Sequence, residues 1–217
     1  MARGDDSRAD VAVWFDLDGT LLHLDHPYDA VLREAFGRHL EGPALDRAVG
    51  AYDFLDRFRA VEPEPYRTAM AGVVEAAEAG VGGTTVADLD PLALVDALRE
   101  VEYAATEVPE GTRGTLAGID APVGVLTNGL PGWQRGKLAH HDLLSPFAAA
   151  VASYEAGAHK PGQAPFDLAR ERLAADRHVM VGDDREADVE GARAAGFEAI
   201  HAPDGIAAVR GDLRDLL

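Results

Sequence analysis

The sequence predicts an α/β fold, a mainly parallel sheet interrupted by an inserted helical domain, from two observations. Three short apolar runs each end in a polar or glycine-containing turn: residues 11–15 enter Asp16-Leu17-Asp18-Gly19-Thr20, residues 123–126 enter Thr127-Asn128-Gly129, and residues 178–181 enter Gly182-Asp183-Asp184. Residues 21–110, by contrast, hold no comparable run over 90 positions.

Taken in order, the run at 11–15 reads as a strand buried on both faces, as do its two successors. The 90 positions that follow it read as helices over residues 28–40, 45–59, 65–79 and 91–106. That is too long for a crossover and suits an inserted domain. Tyr28, Phe36, Tyr52, Phe54 and Phe58 fall at helical spacing and are read as its core. Gly80-Val81-Gly82-Gly83-Thr84-Thr85 lacks the Gly-Lys-Ser/Thr of a phosphate-cradling loop and reads as a linker. Helical patterns follow the second run at 134–140 and the third at 186–195, the latter closed by Gly196 as a C-cap. A helix over 164–174 and a strand over 197–201 complete the set. Strands alternating with helices make the sheet mainly parallel, and such sheets bind ligands outside the carboxyl ends of their strands.

Composition narrows the function classes. At 217 residues and 47% hydrophobic content the chain can bury a sizeable core. The absence of cysteine removes disulfides, thiolate metal sites and a cysteine nucleophile. The apolar runs are far below the roughly 18 residues a membrane helix needs, and the polar, acidic residues 1–10 read as a mobile tail without a signal-peptide core. A cytoplasmic protein is expected. With 20 Lys plus Arg against 38 Asp plus Glu the net charge is −18, which repels nucleic acid polymers and anionic membranes. Only Lys137 and Lys160 are lysines, and 23 of the acidic residues are aspartates. That balance resembles the cytoplasmic proteins of salt-loving archaea, where high salt screens self-repulsion, so a halophilic protein is expected.

Asp16 and Asp18 stand i, i+2 at a strand end, so both carboxylates point to one side while the chain stays extended. Gly19 then lets the backbone turn away. Asp183, Asp184 and Asp188 follow another strand and Thr127-Asn128-Gly129 a third, so carboxylates and phosphate-suited donors converge on one sheet edge. Crowded carboxylates need a cation, and an all-oxygen set with room for water suits Mg²⁺. The Thr127 hydroxyl and the backbone N–H groups of Asn128 and Gly129 suit phosphoryl oxygens. In a chain with so few lysines, Lys160 in a His-Lys-Pro turn invites a specific reason, because a compact ammonium and a guanidinium fork are not interchangeable. Lys137 reads as a helix-surface residue, and neither His23 with His26 nor His140 with His141 has metal-ligand spacing.

These strings, with Lys160-Pro161 third and Gly182-Asp183-Asp184-Arg185-Glu186-Ala187-Asp188 fourth, resemble the four ordered motifs of the haloacid dehalogenase-like hydrolase superfamily. Gln134, Lys137 and Leu138 after the second, Pro165-Phe166 after the third, and Gly191-Ala192 with Ala195-Gly196 after the fourth extend the likeness over essentially the whole chain. The resemblance implies a Rossmann-like catalytic core from residues 1–21 and 109–217, and a mobile helical cap from residues 22–108 whose loops set substrate choice. It implies that Asp16 attacks phosphorus to form an aspartyl-phosphate. Asp18 then serves as acid toward the leaving oxygen and as base toward the hydrolytic water. Mg²⁺ is expected on Asp16, the backbone carbonyl of Asp18, and Asp183, with Asp184 or Asp188 in support through water or by orienting Lys160. Thr127, Asn128, Gly129 and Lys160 are the expected phosphate-binding residues, and His23 and His26 fall where the family places a flap and cap entrance.

The expected activity is hydrolysis of a small phosphorylated metabolite by a monomer or weak homodimer. A phosphomutase would use the same constellation and keep the phosphoryl group for a second hydroxyl. A 2-haloacid dehalogenase is disfavoured because dehalogenating members typically carry a tyrosine at the position of Asp18. Schiff-base phosphonate cleavage is excluded by the lack of any lysine in residues 21–110. The alternative outside the enzymes is a non-catalytic phosphometabolite-binding module, against which the intact set of Asp16, Asp18, Lys160 and Asp183 stands.

Overall fold

The computed structural model describes residues 9–79 and 89–217. Residues 1–8 of the expected tail and the 80–85 linker lie outside them, whereas Ala9 and Asp10 already belong to the first strand. That strand, β1 (Ala9–Phe15), is followed by the short β2 (His23–Leu24) and five helices: α1 (Tyr28–Gly37), α2 (Gly42–Gly50), α3 (Phe54–Arg59), α4 (Pro65–Glu78) and α5 (Pro91–Ala104). The chain continues through β3 (Thr106–Glu107), α6 (Thr112–Leu116), β4 (Val123–Thr127), α7 (Pro131–His140), β5 (Ala149–Ala152), α8 (Ser153–Ala156) and α9 (Gln163–Arg172). It ends with β6 (Ala175–Gly182), a π-helical segment Arg185–Glu190, α10 (Gly191–Ala194), β7 (Glu198–His201) and α11 (Arg210–Leu216).

These elements form two compact units, one from the chain up to His23 with Glu107–Leu217, the other from Leu24–Thr106. The first unit holds the α/β architecture: a five-stranded sheet in the order β5-β4-β1-β6-β7, parallel at every pairing. β1 sits at its centre, and its side chains alternate between two apolar layers. Val11, Val13 and Phe15 pack with Val123, Val125, Val179 and Val181 on one face, and Trp14 packs with Leu126, Met180, Phe166 and Phe197 on the other. The buried stretches of β1, β4 and β6 are largely apolar because both faces are covered there. Gly124 is glycine for a packing reason: a Cβ there would stand 2.5 Å from the Trp14 ring.

The second unit is helical. Val31, Phe36, Met70, Val73, Leu94 and Leu98 are buried in it, and rings of Tyr28, Phe36, Tyr52, Phe54, Phe58 and Tyr66 touch in series. The expected single helix over 45–59 is a correction. It breaks after Gly50, a weak helix residue, and the chain turns so that Tyr52 stacks on Phe54 at 5.9 Å and meets Phe36 edge-on. The expected helix over 186–195 is also interrupted, running as a π segment before α10. No helix among the described residues is long and apolar enough to cross a membrane.

Candidate active site

The site grows from the register of three parallel strands. Phe15 stands opposite Val125 on one side and Val181 on the other, and Asp16 N donates to Val181 O at 2.9 Å. Asp16, Thr127 and Asp183 therefore meet at the carboxyl edge of the sheet. Gly19, at φ +92°, turns the chain after Asp18, and a Cβ there would lie 2.4 Å from Asp183 Oδ2. Thr20, fully buried, donates to Asp183 Oδ1 at 2.9 Å and accepts from Asp183 N at 3.0 Å, tying the first turn to the third. Gly182 leaves comparable room for Asp188, whose Oδ2 would stand 2.1 Å from a Cβ at that position.

Asp16, Asp183 and Asp188 each present an oxygen within 4.8 Å of the other two. The Lys160 ammonium stands among them, donating to Asp16 Oδ1 at 2.7 Å, Asp188 Oδ1 at 2.5 Å and Leu126 O at 2.8 Å. Burial pushes the Asp16 carboxyl up to about 7; the Lys160 charge opposes the rise and Asp188 adds to it. Burial also raises Asp183, with the Thr20 bond pulling the other way. For Lys160 burial acts downward, but Asp16 and Asp188 more than offset it and hold the ammonium above its ordinary value. With all three carboxylates ionised, the one ammonium would leave two negative charges unbalanced beside the buried Asp16 and Asp188. Such an all-oxygen donor set fits a single hard divalent cation.

Of the two acids expected in support, Asp188 joins this cluster. Asp184 is exposed and caps the π-helical segment, accepting from Glu186 N at 2.8 Å and Ala187 N at 2.9 Å. Its own N–H donates to Asp188 Oδ2 at 3.1 Å. The π segment ends at Gly191, where a Cβ would meet Pro161 Cα at 2.7 Å, so the fourth motif packs directly on the loop that carries Lys160.

Asp18 directs its carboxylate elsewhere. Its Oδ1 accepts from Lys137 Nζ and its Oδ2 from Gln134 Nε2, each at 2.8 Å. Lys137 was expected on a helix surface, and this is a correction: it is 5% exposed. Gln134 and Lys137 are i, i+3 on α7, hence on one helix face, and that face meets Asp18. Gln134 also donates to Thr127 Oγ1 at 3.0 Å. The Gly129 N–H, expected to face phosphoryl oxygens, donates instead to the buried Ser153 Oγ at 3.0 Å, which in turn contacts His159 Nδ1 at 2.7 Å. The Asn128 side chain clamps the Lys160 backbone, donating to Lys160 O at 3.1 Å and accepting from Lys160 N at 2.8 Å. His23 bonds Gly19 O at 2.8 Å, and His26 pairs with Asp25. Sequence reading named Thr20, Gln134 and Lys137 within the motifs but gave no role to the Thr20 hydroxyl, the Gln134 amide or the Lys137 charge, and it missed the Ser153–His159 contact. The available signal for Lys137 was the scarcity of lysine.

Comparison with known proteins adds the context. The family model described as haloacid dehalogenase-like hydrolase matches residues 11–196. A phosphoserine phosphatase of Thermus thermophilus is 38% identical over 84 residues, 38% of this chain and 34% of that protein. A ribulose-1,5-bisphosphate 5-phosphatase of Halopiger xanaduensis is 34% identical over 118 residues, 51% of this chain and 48% of that protein. The chain thus spans about a third to a half of the length of these relatives. The fold is shared with the HAD-hydrolase YfnB of Bacillus subtilis in its magnesium-bound structure, at a TM-score of 0.64 and 20% identity, covering 91% of each chain.

Proposed function

The chain belongs to the haloacid dehalogenase-like hydrolases, and from that membership we propose that it is a Mg²⁺-dependent phosphomonoesterase of a small phosphorylated metabolite, working through an aspartyl-phosphate at Asp16. The observation that carries this reading is the division of the carboxylates. Asp16 lies buried in the cluster with Asp183 and Asp188, while Asp18, two residues on, points to a different set of donors. One set supplies the nucleophile and the cation ligands; the other acid is left to handle protons at the leaving oxygen.

In the first half-reaction an Asp16 oxygen bonds to phosphorus as the ester P–O bond breaks, and a proton on Asp18 passes to the departing alkoxide. In the second, water bonds to phosphorus and yields a proton to Asp18 while the bond to Asp16 breaks, which frees phosphate and restores both groups. Lys160 balances charge on the transferring group, with Thr127 and the Asn128 N–H at its oxygens. Asp16, Asp183 and the Asp18 carbonyl, with Asp188 in support, would hold Mg²⁺, which would supply Lewis-acid stabilisation of the phosphoryl oxygens. Relatives described as phosphatases support ester hydrolysis over carbon–halogen cleavage. Substrate choice is assigned to the helical unit Leu24–Thr106.

The test is phosphate release from a panel of phosphomonoesters with Mg²⁺ in molar KCl, the medium in which a net charge of −18 is best screened. The native chain is expected to release phosphate from at least one member and Asp16→Asn from none. Isomerisation of a sugar phosphate without free phosphate would convert the reading to a mutase, and turnover by Asp16→Asn would overturn it.

A further inference from the structure

We propose that Lys137 is a positioning residue that, together with Gln134, fixes the carboxylate of Asp18 for its acid–base work; this rests on the phosphomonoesterase reading above. The chain has two lysines against eighteen arginines, and each lysine pairs with one aspartate of the first motif. Lys160 stands 2.7 Å from Asp16 and Lys137 stands 2.8 Å from Asp18. Arginine, meanwhile, serves exposed pairs such as Arg33 with Asp46 and Arg177 with Glu198.

The Lys137 side chain is 7% exposed and that of Asp18 is 45% exposed. A buried ammonium stripped of its partner is costly, so the contact is held from the buried end and the open carboxylate is the group being placed. Lys137 takes Oδ1 and Gln134 takes Oδ2, so neither oxygen is free to rotate away. A guanidinium would claim both oxygens as a fork and displace the Gln134 amide, whereas a compact ammonium occupies only one. Gln134 is itself located on two further sides. Its amide bonds Thr127 Oγ1 at 3.0 Å, and Gly129 leaves the space for its side chain, since a Cβ there would stand 2.5 Å from Gln134 Cγ. Placement of Asp18 is thereby linked to Thr127 on the phosphate side of the site.

The experiment compares the native chain, Lys137→Met, Asp18→Asn and the double variant on a simple alkyl phosphate and on 4-nitrophenyl phosphate, at saturating Mg²⁺. The alkyl ester needs a proton on its leaving oxygen and the nitrophenyl ester does not. Lys137→Met is expected to lower the rate of alcohol release in the first half-reaction, read in a single turnover, by about 30-fold or more for the alkyl ester with KM little moved, and by only about 3-fold for the nitrophenyl ester. In the Asp18→Asn background the same change should cost less than about 2-fold, because the group being positioned is already disabled. Equal losses on both esters, a loss confined to KM, or independent effects in the double variant would overturn the proposal. Should Lys137→Met fail to give a cooperative thermal transition, Lys137→Gln, which keeps a donor but no charge, carries the same comparison. Failure of the native chain on every member of the phosphomonoester panel strikes the hydrolase reading and the positioning role together; native turnover without the selective loss strikes the positioning role alone.

Discussion

At the scale of single residues, the site is built as much by missing side chains as by present ones. Gly19 combines a backbone at φ +92° with a Cβ position 2.4 Å from Asp183 Oδ2. Gly19→Ala therefore incurs left-handed strain of roughly 1–2 kcal/mol and pushes Asp183 off its bond to Thr20. We expect Mg²⁺ affinity, measured by calorimetric titration, to fall by roughly tenfold or more, as when a group orienting a metal ligand is lost. Gly132→Ala in α7 is the control, since nothing lies within 4 Å of a Cβ there. It should leave affinity alone and raise stability by about 0.5–1 kcal/mol through helix propensity. Asp16 gives a second expectation. Its carboxyl is raised from 3.8 to about 7 by burial, so the folded metal-free chain holds a proton that the unfolded chain has released. Stability from this group is complete below pH about 4 and is lost as pH rises toward 7. A bound cation takes the proton's place, so the rise in melting temperature on adding Mg²⁺ should be larger at pH 8 than at pH 5.5. An equal rise at both would show that Asp16 does not exchange proton for metal.

At the scale of elements, what could be read in advance follows from how local each signal is. The β1, β4 and β6 strands were legible because double burial writes an unbroken apolar run. β5 was not, since Ala149–Ala152 is three alanines and one valine and only its parallel pairing with β4 makes it a strand. The helix expected over 45–59 followed a real periodicity, but a stacking contact between Tyr52 and Phe54 outweighs one more helical turn at Gly50. The π segment Arg185–Glu190 was invisible for a related reason: an α pattern and a π pattern share most of their polar and apolar positions. The wider turn is visible only with the buried Asp188 beside Lys160 and with Gly191 against Pro161. The site divides in the same way. Asp16, Asp183 and Lys160 announce themselves by position at strand ends and by residue type. That Asp18 meets Lys137, 119 positions later, depends on β1 lying beside β4 and on the rotation of α7, and neither is encoded within a local window.

At the scale of the whole molecule, charge is the property that neither the fold nor the site explains. Residues 24–106 carry 16 Asp and Glu against 7 Arg, and the remaining residues carry 22 against 13, so each part bears a net −9. The excess is therefore shared by both parts of the chain. Exposed pairs such as Arg38 with Glu100 and Arg57 with Asp53 neutralise some of it locally, but such pairs are worth only about 0–1 kcal/mol each. They also leave 18 acids without a basic counterpart anywhere in the sequence. Mutual repulsion among the rest acts across a Debye length of about 10 Å at 0.1 M salt and about 3 Å at 1 M. Compaction brings these charges together and unfolding separates them, so screening favours the folded chain. The melting temperature should climb as KCl rises from 0.1 to 1 M, and the climb should flatten once the Debye length is shorter than the spacing between surface carboxylates. Lowering the pH toward the sequence pI of about 4.7 should blunt the KCl effect, because protonation removes the same repulsion. A melting temperature indifferent to KCl at neutral pH would mean that the acidic surface carries no stability cost at low salt, and the halophilic expectation would fall with it.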